Sequence, residues 1–125
     1  MPVSKKFWAT LNSSWPKGLA VPTDKEAIHG VKRLYRHAMG RPCPYKIQVV
    51  HHKARHTWVR RGVLIVSPEY RHPLRGWPAI VHDLSHWFHY RKHPGATPHD
   101  SRQARLERRL QSYVLRKGLA KAGKL

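Results

Sequence analysis

The sequence predicts an α+β domain with its helices packed on one side of a small sheet. Three observations carry that expectation: apolar residues recur at helical spacing in three capped stretches, two β-branched runs lie between the first and second of them, and 125 residues suffice for one core. The first helix is expected over 24–39. Thr23 and Glu26 form a capping box, Ala27, Ile28, Val31, Leu34, Tyr35 and Ala38 share a face, and Gly40 stops it. After the breaker Arg41-Pro-Cys-Pro, the run Tyr45-Lys-Ile-Gln-Val-Val alternates like a half-buried strand. Thr57 to Val66 reads as one long strand or a short pair broken at Gly62, ending at Ser67-Pro68. Pro78 suits the first turn of a second helix running to about Lys92, with Ala79, Ile80, Val81, Leu84, Trp87 and Phe88 on its apolar face. Asp100 or Ser101 caps a third helix that turns Ala104, Leu106, Leu110, Tyr113 and Val114 inward until Gly118. Residues 1–22 read as an arm pinned by aromatics, 23–118 as the domain and 119–125 as a basic tail.

Lys and Arg number 25 against 6 Asp and Glu, a net charge of +19 with His neutral. Self-repulsion on that scale is tolerable mainly beside a polyanion, so DNA or RNA, held electrostatically and without sequence reading, is the expected partner. Arg102, Arg105 and Arg109 recur at three-to-four spacing and form one cationic helix face, and Arg60 and Arg61 form a second basic group. An apolar content of 40%, with five Trp and five Tyr, excludes a disordered basic tail. The lone Cys43 excludes an internal disulfide and a Cys-only zinc cluster. The N-terminal MPVSKKFWATLNSSWP lacks the apolar run of a signal peptide, and no stretch approaches the roughly 20 apolar residues that span a bilayer. The expectation is a soluble protein without membrane contact, cytoplasmic or nucleoid-associated.

Eleven residues are His, and three pairs are four apart: His52/His56, His82/His86 and His89/His93. Context separates them. His82 and His86 lie on the apolar second helix, where residues four apart share a face and two imidazoles can reach one metal ion. The segment 76–90 contains Asp83 and no Lys or Arg, so no fixed cation opposes a divalent ion there. His52 and His56 fall on a strand end and loop. At 3.6 residues per turn, His82, His86, His89 and His93 lie within about 60° of one another. His89 and His93 are expected to face solvent.

His82-Asp83-Leu-Ser-His86 resembles the zincin signature His-Glu-x-x-His, in which two His bind zinc and the acid polarises the zinc-bound water. Together with the loop Lys92-His-Pro-Gly-Ala-Thr-Pro and His99-Asp-Ser-Arg opening the last helix, it is most similar to the SprT-like (Spartan-type) minimal metalloproteases. The likeness follows the order of elements over roughly 24–117 and is motif-specific from 77 to 107. It implies a small zincin-like domain, Zn²⁺ on His82, His86 and a third ligand, Asp83 as general base, and a protein substrate lying along Val63 to Val66 by β-augmentation. His99 is preferred as third ligand over His93 and Glu107. The Pro98-His99 step favours an extended loop able to swing back, and Glu107 stands in the basic stretch 105–109, where a salt bridge accounts for it. Asp83 departs from the motif, because a side chain one methylene shorter ends on the order of 1 Å short of the Glu position.

Two other readings stay open at this stage. The YbeY-type endoribonucleases also join a His-x-x-x-His helix to a later His, which would make RNA the substrate. A nucleic-acid-binding protein with a structural zinc and a disabled site fits the Asp83 departure.

Overall fold

A computed structural model describes residues 13–49, 58–72, 75–95, 97 and 100–121. Helix α1 spans Asp24–Met39. Thr23 Oγ1 accepts from the Glu26 N–H while Glu26 Oε1 accepts from the Thr23 N–H, so the capping box closes in both directions. Gly40 at φ 74° ends the helix in the left-handed conformation, its N–H returning to the Arg36 carbonyl.

Three strands follow: β1 at Lys46–Val49, β2 at Trp58–Arg60 and β3 at Val63–Val66. The second run is therefore a pair. Arg61 and Gly62 take φ values of 51° and 78°, the positive-φ dipeptide of a tight hairpin turn. The sheet order is β1-β3-β2, with β3 parallel to β1 and antiparallel to β2. Ile47 pairs with Leu64 and Val49 with Val66, and these four side chains form the buried face. The central place of β3 corrects one expectation: both its edges carry strand partners, so it offers no free edge for a substrate peptide. Among the described residues, the edges of this sheet belong to β1 and β2.

A 3₁₀ turn at Pro68–Arg71 leads to helix α2, Gly76–Lys92, and then to α3, Ser101–Arg116. The first turn and a half of α2, through Val81, is buried on all sides, which explains its almost uninterrupted apolar sequence. Its neighbours are α1, α3 and the 3₁₀ turn. Gly30 of α1 makes room for the indole of Trp77, so α1 and α2 approach closely at the start of α2. Helices α2 and α3 form an antiparallel hairpin, and Leu34, Tyr35, Leu84, Phe88, Leu110 and Val114 fill the space between the three helices and the sheet. Arg71 bridges to Asp24 at 2.6 Å, and the buried Tyr70 hydroxyl bonds the same carboxylate, tying the 3₁₀ turn to the start of α1.

The chain on either side of 23–118 joins this core. Trp15 is buried, Leu119 and Ala120 pack against the cluster, and the Ala20 N–H donates to the Lys121 carbonyl at 2.8 Å. The described parts of the expected arm and tail thus meet each other and close the domain.

Candidate metal centre and cationic face

His82 and His86 stand one turn apart on α2, with ring centroids 4.6 Å apart and planes at 88°. Opposite them, Glu107 of α3 places Oε1 3.1 Å from His82 Nδ1. Glu107 is in turn held by Gln103, whose amide donates to Glu107 Oε1 at 2.9 Å and to Ser85 Oγ at 2.8 Å. Ser85 Oγ donates to the His82 carbonyl at 2.7 Å, closing the circuit back onto α2. Ser85 and Gln103 are buried, and satisfied buried networks of this kind fix side-chain geometry. A carboxylate on Nδ1 puts the imidazole proton there, so that the ring's lone pair is on Nε2.

This overturns the reason for setting Glu107 aside. It does not pair with an arginine of the 105–109 stretch; it faces His82 across the helix hairpin. Burial works against its charge, yet the hydrogen bond and charge of His82, the Gln103 amide and His86 hold its carboxyl below the usual carboxylate range. His99, the preferred third ligand, lies outside the described residues. Among the described residues, no three His, Cys, Asp or Glu side chains already close around a metal position. What the described residues bring together is two imidazoles on one helix face, donors of a type zinc accepts, with a carboxylate on Nδ1 of one of them, the position of an orienting partner.

Asp83 turns to a different neighbour. Its carboxyl hydrogen-bonds Glu69 of the 3₁₀ turn and is held well above the usual carboxylate range, by burial first and then by the charge of Glu69. Arg75, 3.6 Å from Glu69, opposes that rise, and Glu107 adds to it. Asp83 and Glu69 therefore bring two carboxyl groups together beside the two imidazoles, and it is the Asp83 carboxyl whose proton is held more tightly. Sequence reading missed Glu69. The signal beside it is Ser67-Pro68, which reads as a strand stop and also caps a 3₁₀ turn: Ser67 Oγ accepts from the Glu69 N–H.

The two remaining histidines of the stripe behave differently from expectation. His89 is 1% exposed, because its Nε2–H points between the Thr97 carbonyl at 3.2 Å and Asp100 Oδ1 at 3.3 Å. Thr97 and Asp100 close over it, where the sequence predicts a solvated ring. His93 is half-buried and accepts at Nδ1 from Arg102 at 3.1 Å.

Arg102, Arg105 and Arg109 share an exposed face of α3 and line one pocket with Lys92 and His93. Arg60 ends β2 and Arg61 begins the β2–β3 turn, both exposed, so the two basic groups expected from sequence sit on different elements. Among the described residues, no helix is long and apolar enough to cross a membrane. Comparison with protein-family models, with curated proteins and with solved structures finds no match.

Proposed function

We propose that this chain is a zinc-dependent metallopeptidase of SprT-like type that acts on proteins at or near nucleic acid, in the cytoplasm or on the nucleoid. One arrangement carries the reading: His82 and His86 face each other one turn apart, and Glu107 fixes His82 by its Nδ1. Zinc, when bound, supplies Lewis acidity toward a peptide carbonyl and toward water. His82 through Nε2 and His86 would hold it, with His99 as the third protein ligand, while Glu107, on the Nδ1 side of the His82 ring, orients that ring and does not ligate. The Asp83 carboxylate takes a proton at an oxygen and returns it to the departing amine. Burial first, and then the charge of Glu69, keep that oxygen basic enough to accept. Glu107 and Gln103 keep His82 from rotating, and the arginines of α3 hold the protein near a phosphate backbone.

A second reading has its own support. The Asp83 carboxyl is already engaged by Glu69, which favours a nucleic-acid-binding protein whose zinc is structural and whose hydrolytic site is disabled. The test is cleavage by the zinc-loaded protein, with casein plus DNA in one tube and labelled RNA in another. The peptidase reading expects cut casein, intact RNA, and an Asp83→Asn variant that retains zinc but does not cut. Cleaved RNA with intact casein overturns it in favour of a metal-dependent nuclease. Zinc binding with neither polymer cut, and proteolysis appearing only in Asp83→Glu, establishes the second reading.

A further inference from the structure

A pocket of about 240 Å³ opens where the end of α2 meets the start of α3. Lys92 and His93 line it from α2, Arg102, Arg105 and Arg109 from α3, and no carboxylate is among its lining residues. Placing six cationic or protonatable groups, with His89 the sixth, around so small a space is costly for the empty protein, and an anion relieves that cost. Parts of the wall are already fixed. Arg102 is held by Asp100 Oδ2 at 3.0 Å and donates to His93, while Arg109 donates to the His37 carbonyl at 3.0 Å. Among the described residues, Lys92 and Arg105 have no ion-pair partner. Because His93 accepts at Nδ1, its neutral ring carries the proton on Nε2, one more donor for an oxyanion.

We propose that this notch binds a backbone phosphate of nucleic acid, with Lys92 and Arg105 as the ionic contacts and Arg102, Arg109 and His93 as the fixed donors. The inference deepens the nucleic-acid part of the reading above and does not depend on zinc. It lies about 10 Å along α2 from His86, counting seven residues at the helical rise, so a strand anchored there runs close to the candidate centre without filling it.

The experiment uses the full chain and a fluorescein-labelled single-stranded thymidine oligomer, with anisotropy read across a salt series. Lys92→Ala/Arg105→Ala is compared with Lys25→Ala/Lys32→Ala, which removes the same charge from exposed positions on α1. The notch variant is expected to lose at least tenfold in affinity and about 0.7 in salt slope, as one phosphate contact on a single strand requires, and the control less than threefold in affinity. Equal losses in both would overturn the proposal and leave only diffuse attraction. Arg105→Glu serves as a second variant if the double does not fold. Inorganic phosphate forms a separate arm: if millimolar phosphate displaces the oligomer and shifts the His93 ring resonances, the notch takes a phosphate group. If phosphate shifts His93 while the oligomer leaves it unmoved, the ligand is free phosphate and the nucleic-acid assignment fails. Zinc content of the same variants keeps the two readings apart, since zinc lost with notch binding intact counts against the metallopeptidase alone.

Discussion

Replacing Gly30 with Ala tests the packing that sets α2 in place. A methyl carbon at Gly30 would lie 2.8 Å from Cζ3 of Trp77 and nearer still to Cη2, against the roughly 3.5–4.0 Å of an ordinary carbon contact. The indole is 2% exposed and has no open side to move into. Helix propensity favours the substitution, by about 1 kcal/mol for Gly to Ala in a helix interior. Overpacking opposes it, at about 2–3 kcal/mol for an overlap this deep at a buried ring, the upper part of the usual range. The net expectation is a loss of about 1–2 kcal/mol. With an unfolding entropy of about 2.1 cal/mol/K per residue over 125 residues, that corresponds to a thermal midpoint lower by about 4–8 °C. Thermal and urea unfolding by circular dichroism read it directly. In the Trp77→Phe background, where the clashing ring atoms are absent, the same substitution should be neutral or stabilising by up to about 1 kcal/mol, giving a coupling of about 1–3 kcal/mol. A midpoint that rises in Gly30→Ala alone would show that propensity wins and that the close approach of α1 and α2 is not as described.

Other outcomes follow from the network and the caps. Thr23→Ala removes one half of the capping box and should cost about 1 kcal/mol in the same unfolding assay. Asp83 has a folded value raised above its unfolded one, so its contribution favours folding at low pH and is lost as pH rises through the folded value. Asp83→Asn should therefore unfold at a higher temperature than the parent at pH 8, with the gap narrowing toward pH 5. Asp100 has the opposite sign. The Gln103 N–H and the Arg102 guanidinium hold it low, so its stabilisation is present above the ordinary carboxylate value and disappears as pH falls through the folded one. Asp100→Asn should be less stable than the parent at pH 7, and the difference should close below about pH 4. Glu107→Gln keeps the shape but removes the charge on His82, and zinc affinity by chelator competition should fall roughly 10–100-fold.

The helix boundaries were legible because their signals are local. Thr23, Gly40, Pro78 and Asp100 act within one turn of themselves, and each sits where the structure uses it. Strand order was not legible. That β3 lies between β1 and β2 follows from a crossover, and alternation along Val63 to Val66 reads the same in a central or an edge strand. The His82/His86 pair was visible from its spacing, but its partner was not. Whether Glu107 meets an arginine one turn away or a histidine 25 positions earlier depends on how α2 and α3 cross, and the charge pattern of 105–109 pointed to the local answer. His89 misled for a related reason, since its burial is made by Thr97 and Asp100 returning over it, and a lone helix cannot predict its lid.

The account stands on His82 and His86 gripping one divalent ion with Glu107 behind His82. Chelator-treated protein, reloaded with zinc, desalted and measured by elemental analysis beside His86→Ala, tests this directly. The account predicts about one zinc per chain in the parent and a level near background in the folded variant. A parent that folds fully and retains no more zinc than His86→Ala would contradict it.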